Sequence, residues 1–196
     1  TSVPGLYACG ELIYGMHGAN RLSGNAITEA LVTGRIAGEA SSRNGVEPAP
    51  AAVERALEEE WRRLEQFWHP REVARDEGSI LAVKRELQNT MWEGAGPLRT
   101  EESLKRALAE IRDLKERFEG IALARHTRFA LPLVEKVEVA NMLKLSESII
   151  LGALARRETR GAHVRLDIEE SYERAVNTVF TLDENKEWQM REIVLQ

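Results

Sequence analysis

Residues 100–120 read TEESLKRALAEIRDLKERFEG, a pattern typical of an amphipathic helix. Apolar side chains recur every three or four residues in this stretch, which places them on one helix face. They are Leu104, Leu108, Ile111, Leu114 and Phe118. The hydroxyl of Thr100 can cap the first turn, and Gly120 can end the last one. The stretch therefore predicts a helix that packs its apolar face against other helices.

Three further segments have helical periodicity. The first covers residues 51–68 and carries an apolar stripe: Val53, Leu57, Trp61, Leu64 and Trp68. The second begins at Pro70, because proline is tolerated in a first turn, and is interrupted at residues 94–97. The last runs from Pro132 to about residue 157. Its residues 149–155 are apolar nearly all round, which predicts the most buried helix.

The two ends of the chain have a different character. Residues 158–167 are polar and contain glycine, which indicates a loop, and residues 176–182 and 187–195 have the pattern of a β-hairpin. Residues 1–45 hold eight of the 14 glycines and predict a short buried strand, a glycine-rich loop and then a helix. That helix begins near Asn25, whose side chain can cap it. The predicted fold class is therefore mainly α.

Composition excludes several classes of protein. The 196 residues are 43% hydrophobic and 30% charged, which is typical of a globular chain. A formal net charge of −5 argues against binding to nucleic-acid phosphates, so we expect no nucleic-acid partner. The single cysteine, Cys9, excludes an internal disulfide, and the scattered histidines predict no metal site. No apolar run approaches the roughly 20 residues that cross a bilayer, so no membrane span is expected.

The segment with chemical content is residues 10–27, GELIYGMHGANRLSGNAI. A carboxylate at a strand end, here Glu11, can accept two hydrogen bonds from the ribose hydroxyls of a nucleotide. Glycines let the backbone approach a flat ligand, and a helix N-terminus offers free N–H groups to an anion. Arg21 lies in the same loop and can bind a carboxylate through parallel hydrogen bonds. From these residues alone, a flavin site and a structural turn with a solvated arginine both remain open.

These motifs resemble one family. VPGLYACGE at residues 3–11, followed by HGANRLSGNAITEALVTGRIAGE at residues 17–39, closely resembles the flavoprotein subunits of succinate dehydrogenase and fumarate reductase, and their relative L-aspartate oxidase. RGAHVRLD at residues 160–167 favours the succinate and fumarate enzymes, because L-aspartate oxidases tend to read RGLHY there. The resemblance covers essentially the whole chain and implies the last third of such a subunit.

The resemblance implies a division into three parts. Residues 1–45 would be one strand and one helix of an incomplete Rossmann-type FAD domain. Residues 46–157 would form a three-helix-bundle-like helical domain, and residues 158–196 a C-terminal loop and β-hairpin region. The implied activity is the interconversion of succinate and fumarate by hydride transfer at flavin N5, with FAD as the cofactor.

The resemblance also implies roles for individual residues. Glu11 matches the glutamate that binds FAD, and Arg21 matches the catalytic arginine that binds one substrate carboxylate. Asn25, Ala26 and Ile27 match the cofactor-binding positions at the helix start. Most members have Ser-Leu at the last two positions, so a hydroxyl is lost here while the backbone donors survive.

Several parts of the family pattern have no counterpart in this sequence. They are the GxGxxG motif for the FAD pyrophosphate, the histidine for covalent flavin attachment, and the capping domain with its proton-donating arginine. We therefore expect a fragment or split piece that is inactive alone. The implied partners are the rest of the flavoprotein, an iron–sulfur subunit and a C4 dicarboxylate substrate. The expected location is cytoplasmic, peripheral at the inner membrane face through partner subunits.

Three alternatives remain open. The chain can belong to an L-aspartate oxidase, which shares the fold and the arginine, or more distantly to an adenylylsulfate reductase. It can also be a non-catalytic helical docking module, in which residues 50–157 fold alone. For the cationic cluster of Arg160, His163 and Arg165, we favour a hydrogen-bond network that docks the C-terminal region over direct ligand contact.

Overall fold

A computed structural model describes residues 1, 3–13, 16–45, 47–67, 79–121, 123, 131–169, 172–185 and 187–194. The helices in this part of the chain are α1 (Asn25–Arg43), α2 (Pro50–Glu65), α3 (Ile80–Ala95), α4 (Glu101–Glu119) and α5 (Leu131–Ala155). The strands are β1 (Leu98–Arg99), β2 (Val164–Arg165), β3 (Val176–Leu182) and β4 (Trp188–Val194). The mainly α fold class is confirmed. Trp68 and Pro70, placed by the sequence at a helix end and a helix start, lie outside the described residues.

The chain forms two compact units, Thr1–Glu60 and Trp61–Gln196. The boundary between them falls within α2, and the β-hairpin belongs to the same unit as the bundle. The Asn-Gly pair and the two prolines within residues 41–50 predict a linker, but residues 41–43 are helical as the end of α1, and Pro50 begins α2. The three-part division expected from the sequence stays a prediction.

Helices α3, α4 and α5 enclose the core of the second unit. The predicted caps of α4 are present: Thr100 accepts a hydrogen bond from the Ser103 N–H, and Ser103 accepts one from the Thr100 N–H, both at 3.1 Å. This capping box satisfies two N–H groups that the first turn leaves unpaired. The fully buried side chains of the core include Val83, Leu87, Leu104, Ile111, Val139, Leu143 and Ile150. Each aliphatic side chain removed from water contributes about 1.5–3 kcal/mol, so these positions hold the bundle together.

Gly94 lies inside α3, at the point where α3 and α4 come closest. A β-carbon added there would lie 2.5 Å from the Ala107 β-carbon. The Ser103 hydroxyl also donates to the Gly94 carbonyl oxygen at 3.0 Å. The glycine expected to interrupt the helix therefore serves a close helix crossing, and α3 continues through Ala95.

The sequence predicts α5 as the most buried helix, and within residues 149–155 the burial is uneven. Ile150 and Ala153 are buried, but Ile149 is 49% exposed. Helices α3 and α4 pack against α5, and the β-hairpin packs on it at Gly152. None of the described helices is long and apolar enough to span a membrane.

Lys136 is a buried lysine on α5, with 2% of its surface exposed. Its ammonium group donates to the carbonyl oxygens of Phe67 and Ile121 and lies over the rings of Phe67 and Phe118, at 5.2 and 5.6 Å from their centroids. Burial lowers the pKa of Lys136 from its usual value. Carbonyl groups and aromatic faces thus replace the water that the cation loses.

The C-terminal segment docks on the bundle through two small sheets. Strands β1 and β2 pair in parallel, with Leu98 opposite Val164. Strands β3 and β4 form the predicted antiparallel hairpin. On the hairpin, the Trp188 indole donates to Glu147 of α5 at 3.1 Å. The Phe180 ring lies 3.2 Å from where a β-carbon on Gly152 would be, so the hairpin packs closely on α5.

A network of buried charges joins the end of α5 to the segment that follows it. Glu158 is fully buried, and its carboxylate accepts hydrogen bonds from Arg156 at 2.6 Å, from Arg160 at 3.0 Å and from the Tyr172 N–H at 3.1 Å. Arg165 is 3% exposed and donates to Asp167 at 2.9 and 3.0 Å. This geometry agrees with the docking network that the sequence favoured for the cationic cluster.

His163 takes part in the same network through both ring nitrogens. Arg99 donates to its Nδ1 at 2.7 Å, and its Nε2 lies 3.2 Å from the Arg156 carbonyl oxygen. Burial lowers the pKa of His163 most. The guanidinium groups of Arg99, Arg165 and Arg156 act in the same direction, against the hydrogen bond to the Arg156 carbonyl, which raises it. If a proton bound to Nδ1, the nitrogen could no longer accept the hydrogen bond from Arg99, and the charged imidazolium would face the charged guanidinium.

We expect His163 to make the folded chain less stable in mild acid. Because the unfolded chain binds this proton more tightly than the folded chain, the free energy of unfolding falls as the pH drops below the usual histidine value of 6.5. The slope from one such group is at most about 1.4 kcal/mol per pH unit. Urea denaturation of the wild type and of His163→Gln between about pH 7.5 and pH 5.5 measures it. Equal slopes for the two proteins would contradict this expectation.

The first unit does not contain the short buried strand that the sequence predicts after a turn within residues 3–10. Residues 6–9 form no regular element, and Gly10–Leu12 is a single 3₁₀ turn. A strand needs a neighbour for its backbone hydrogen bonds, and no described residue provides one here. The apolar side chains of α1 are likewise uncovered: Ile27 is 73% and Leu31 70% exposed.

Candidate functional site

The loop before α1 brings two predicted site residues together. One guanidinium nitrogen of Arg21, Nη1, donates to both carboxylate oxygens of Glu11, at 3.0 and 2.9 Å. The side chains are 41% and 80% exposed. The sequence assigned these residues to different ligands, a substrate carboxylate and a ribose, whereas the structure pairs them with each other. Arg21 therefore already binds a carboxylate, in an exposed pair of the kind that contributes about 0–1 kcal/mol.

The helix start differs from the prediction at Asn25. The N-cap residue is Gly24, in the left-handed conformation with φ of 87°, and no side chain caps the helix. Asn25 is the first helical residue, and its N–H donates to the Leu22 carbonyl oxygen at 3.3 Å. The prediction that Asn25 caps α1 was wrong, because the chain enters the helix through a positive φ that glycine adopts at low cost.

The first turn of α1 offers free backbone donors. The N–H groups of Ala26 and Ile27 have no acceptor among the described residues. A β-carbon added to Gly24 would meet nothing within 4 Å, so the space before the helix is open. Free N–H groups at the positive end of a helix favour an anion or a polar ligand edge.

A hydrogen-bond chain fixes the Glu11 segment against α1. The Gly10 N–H donates to the Thr33 hydroxyl at 2.9 Å, and that hydroxyl donates to the Glu29 carbonyl oxygen at 2.6 Å. Gly10 has a φ of 65°, and a β-carbon there would lie 3.5 Å from the Ala30 β-carbon. A glycine is therefore favoured at the position just before Glu11.

The loop contains a side-chain pair, His17 with Glu29, that was not predicted from the sequence. Nε2 of His17 lies 2.8 Å from Oε2 of Glu29, and Glu29 is the buried residue of α1. The signal was present: Glu29 is the only acidic residue between Asn25 and Gly38, in a helix of mostly small and apolar residues. A lone charge in such a setting needs a partner when it is buried.

Two family models match the chain. Residues 84–195 match the model described as the C-terminal part of the fumarate reductase flavoprotein, and residues 1–27 match an FAD binding domain. The chain belongs to the fumarate reductase flavoprotein family. Its motifs at residues 3–11 and 17–39, on which the resemblance rested, include the exposed Glu11 and Arg21 pair. The cofactor of this family is FAD.

Two proteins similar to this chain are a fumarate reductase flavoprotein subunit and an L-aspartate oxidase. The fumarate reductase flavoprotein subunit of a Serratia species is 37% identical over 171 residues, which are 85% of this chain and 28% of that protein. The L-aspartate oxidase of Streptomyces coelicolor is 36% identical over 169 residues, which are 85% of this chain and 28% of that protein. The chain thus spans less than a third of the length of these relatives.

Two solved structures have a similar fold. A quinol fumarate reductase structure from Escherichia coli superposes with a TM-score of 0.85 at 28% identity, over 96% of this chain and 33% of that one. An adenylylsulfate reductase from Archaeoglobus fulgidus gives a TM-score of 0.60 at 23% identity, over 86% of this chain and 29% of that one, and shares the fold alone.

The residues of the loop fit the edge of a flavin cofactor. The N–H groups of Ala26 and Ile27 have no acceptor within the part of the chain that the structure describes, and the absence of a side chain at Gly24 leaves room for a flat ring. The Glu11 carboxylate is exposed, and Arg21 is its partner among the described residues. The roles of Glu11, Asn25, Ala26 and Ile27 toward FAD stay predictions.

Proposed function

We propose that this chain supplies the substrate arginine and the flavin-facing helix of an FAD-dependent oxidoreductase that interconverts succinate and fumarate. One observation carries the proposal: Arg21 binds a carboxylate through Nη1, in a loop that leads directly to the free N–H groups of α1. The family membership of the chain supports the same reaction class.

In this proposal, a substrate carboxylate takes the place of Glu11 on Arg21. The Arg21–Glu11 pair is exposed, so it is weak enough to be exchanged. Arg21 then orients the dicarboxylate and stabilises charge that develops on it during the reaction. The released Glu11 carboxylate is free to accept hydrogen bonds from ribose hydroxyls.

The helix α1 acts on the cofactor side. Bound FAD supplies the hydride acceptor or donor at N5. The N–H groups of Ala26 and Ile27 would stabilise negative charge on the bound cofactor, because they have no acceptor among the described residues and lie at the positive end of α1. Asn25 contributes to the same helix start through its backbone.

The proposal requires other parts of the protein. Residues 1–45 belong to the FAD domain, 46–157 to the helical domain and 158–196 to the C-terminal region, and this chain acts with the rest of the flavoprotein. We further propose an iron–sulfur subunit as the electron partner and peripheral membrane association through partner subunits. Support comes from relatives named as subunits, among them that of the 8-methylmenaquinol:fumarate reductase of Wolinella succinogenes.

L-aspartate oxidase is the second candidate, because the Streptomyces coelicolor enzyme is almost as similar as the Serratia subunit. The RGAHVRLD motif at residues 160–167 favours succinate and fumarate.

A docking module without catalysis is the candidate function that is not an enzyme activity. Thermal melting of residues 50–157 expressed alone tests whether they fold independently.

One experiment separates the two enzymes. The complete flavoprotein is assayed with succinate and a dye acceptor, and in parallel with aspartate and oxygen. We expect turnover of succinate and reduction of fumarate, and no oxidation of aspartate. Aspartate oxidation without turnover of succinate or fumarate would contradict the proposal. This chain mixed with FAD alone should give no stoichiometric flavin spectrum, because most of the cofactor's binding residues are expected elsewhere.

A further inference from the structure

Glu29 is a buried acid on a helix whose apolar residues are mostly exposed. The residue is 8% exposed and its side chain 6%, whereas Ile27 and Leu31 on the same helix are 73% and 70% exposed. Its Oε2 lies 2.8 Å from His17, and its Oε1 is buried without a hydrogen-bond partner among the described residues. A buried carboxylate oxygen with no donor is unfavourable, so a purely stabilising role does not explain the acid at this position.

The turn of α1 from Glu29 to Thr33 binds Gly10 and His17, the two ends of the segment that contains Glu11. Thr33 accepts the Gly10 N–H at 2.9 Å, and Glu29 binds His17 at 2.8 Å. The Thr33 hydroxyl joins the two anchors by donating to the Glu29 carbonyl oxygen. Glu11 lies just inside the first anchor, and Arg21 follows the second by four residues. The two groups that meet at 2.9–3.0 Å are thus both placed from the same helical turn.

The His17 contact is the side-chain link that ties the Arg21 loop to α1. The His17 ring is 24% exposed, and Nδ1 has no hydrogen-bond partner among the described residues. Glu29 makes no contact with Arg21 itself, which binds Glu11 instead. Any effect of the Glu29 side chain on Arg21 therefore passes through His17 and the backbone of residues 17–21.

We propose that Glu29 is a positioning residue, which holds His17 and so sets where the Arg21 guanidinium lies relative to the start of α1. This inference rests on the proposed function, in which Arg21 binds the substrate carboxylate. A binding group displaced by about 1 Å can cost up to 10²-fold in rate, so the loop needs such an anchor.

The test uses Glu29→Leu and Glu29→Gln in the complete flavoprotein. Leucine fills a similar volume and removes the unpartnered oxygen, so we expect an unchanged or higher melting temperature and unchanged FAD content. The value of kcat/KM for fumarate should nevertheless fall by about 10- to 100-fold, with a raised KM. Glutamine keeps an acceptor for the imidazole N–H and should remain within about 3-fold of the wild type.

A double-mutant cycle tests the route through His17. His17→Leu alone should lose as much kcat/KM as Glu29→Leu, and the double variant should lose no more than either single variant. On this chain alone, ¹⁵N NMR of the His17 ring should shift in Glu29→Leu. Additive losses in the cycle would overturn the proposal, because they mean that the two residues act independently.

The outcomes distinguish this inference from the function on which it rests. If Arg21→Ala abolishes turnover while Glu29→Leu and His17→Leu stay within about 2-fold of the wild type, the positioning role is wrong and the proposed function stands. If Arg21→Ala leaves turnover intact, the proposed function and the positioning role both fail. Should Glu29→Leu not fold, wild-type turnover in His17→Leu would by itself overturn the inference.

Discussion

Arg21→Ala in the complete flavoprotein is expected to lower fumarate turnover by about 10³-fold or more while FAD stays bound. The guanidinium is the cation of the loop that already holds a carboxylate, at 2.9 and 3.0 Å from the two oxygens of Glu11. Its loss removes both the binding contact and the charge stabilisation in the transition state. Steady-state kinetics together with the flavin absorbance of the purified variant measure the two parts of this expectation.

Two variants serve as controls for Arg21. Arg21→Lys keeps the charge but loses the planar fork, so it should recover only part of the rate. Glu11→Gln removes the carboxylate that competes for Arg21, so it should not raise the KM for the dicarboxylate.

In this chain alone, Arg21→Ala should change the free energy of unfolding by no more than about 1 kcal/mol, because the pair is exposed. Turnover within 10-fold of the wild type in Arg21→Ala would show that the assignment is wrong.

Glu158→Ala is expected to cost about 3–5 kcal/mol in the free energy of unfolding, the largest stability effect among the sites described. Glu158 is fully buried, and its removal leaves Arg156 and Arg160 without their carboxylate. The Tyr172 N–H loses its acceptor as well. Urea denaturation of this chain measures the loss, and hydrogen exchange should show faster opening of β3 and β4 than of α4.

The contribution of Glu158 to the free energy of unfolding decreases at low pH. Burial acts to raise its pKa, but the hydrogen bonds from Arg160, the Tyr172 N–H and Arg156 hold the pKa of Glu158 below its usual value of 4.5. The folded chain therefore keeps this stabilisation above about pH 4.5 and loses it as the pH falls further. Glu192→Ala, an exposed position on β4, is the matched control and should change stability by no more than about 0.5 kcal/mol. A loss below about 1 kcal/mol in Glu158→Ala would contradict the network's role.

Local signals in the sequence were sufficient for much of the second unit. The apolar spacing of residues 100–120 with Thr100 and Gly120 at its ends predicted α4, whose bounds are Glu101–Glu119. The hairpin was predicted with one strand matching Val176–Leu182 in full. Helix caps and the alternation of apolar and polar residues in strands depend on a few adjacent residues. They can therefore be recognised in the sequence without knowledge of the tertiary packing.

Features that depend on distant residues were not predictable in this way. The short strand expected within residues 3–10 needs neighbouring strands that the described residues do not provide. The N-cap of α1 is Gly24 and not Asn25, because the chain enters the helix through a positive φ. The pairing of Arg21 with Glu11, and of His17 with Glu29, joins residues ten and twelve positions apart across an irregular loop. No periodicity specifies such contacts. The lone acid at Glu29 was the available signal, since a buried charge requires a partner.

The parallel pairing of β1 with β2 has a consequence for how the chain is made. Leu98 and Val164 are paired although 66 residues separate them, and α4 and α5 both lie between. Contacts of such long sequence separation form late, whereas neighbouring helices associate early. On a ribosome, β1 therefore stays without its strand partner until Val164 has left the exit tunnel, so this pairing follows the synthesis of α5.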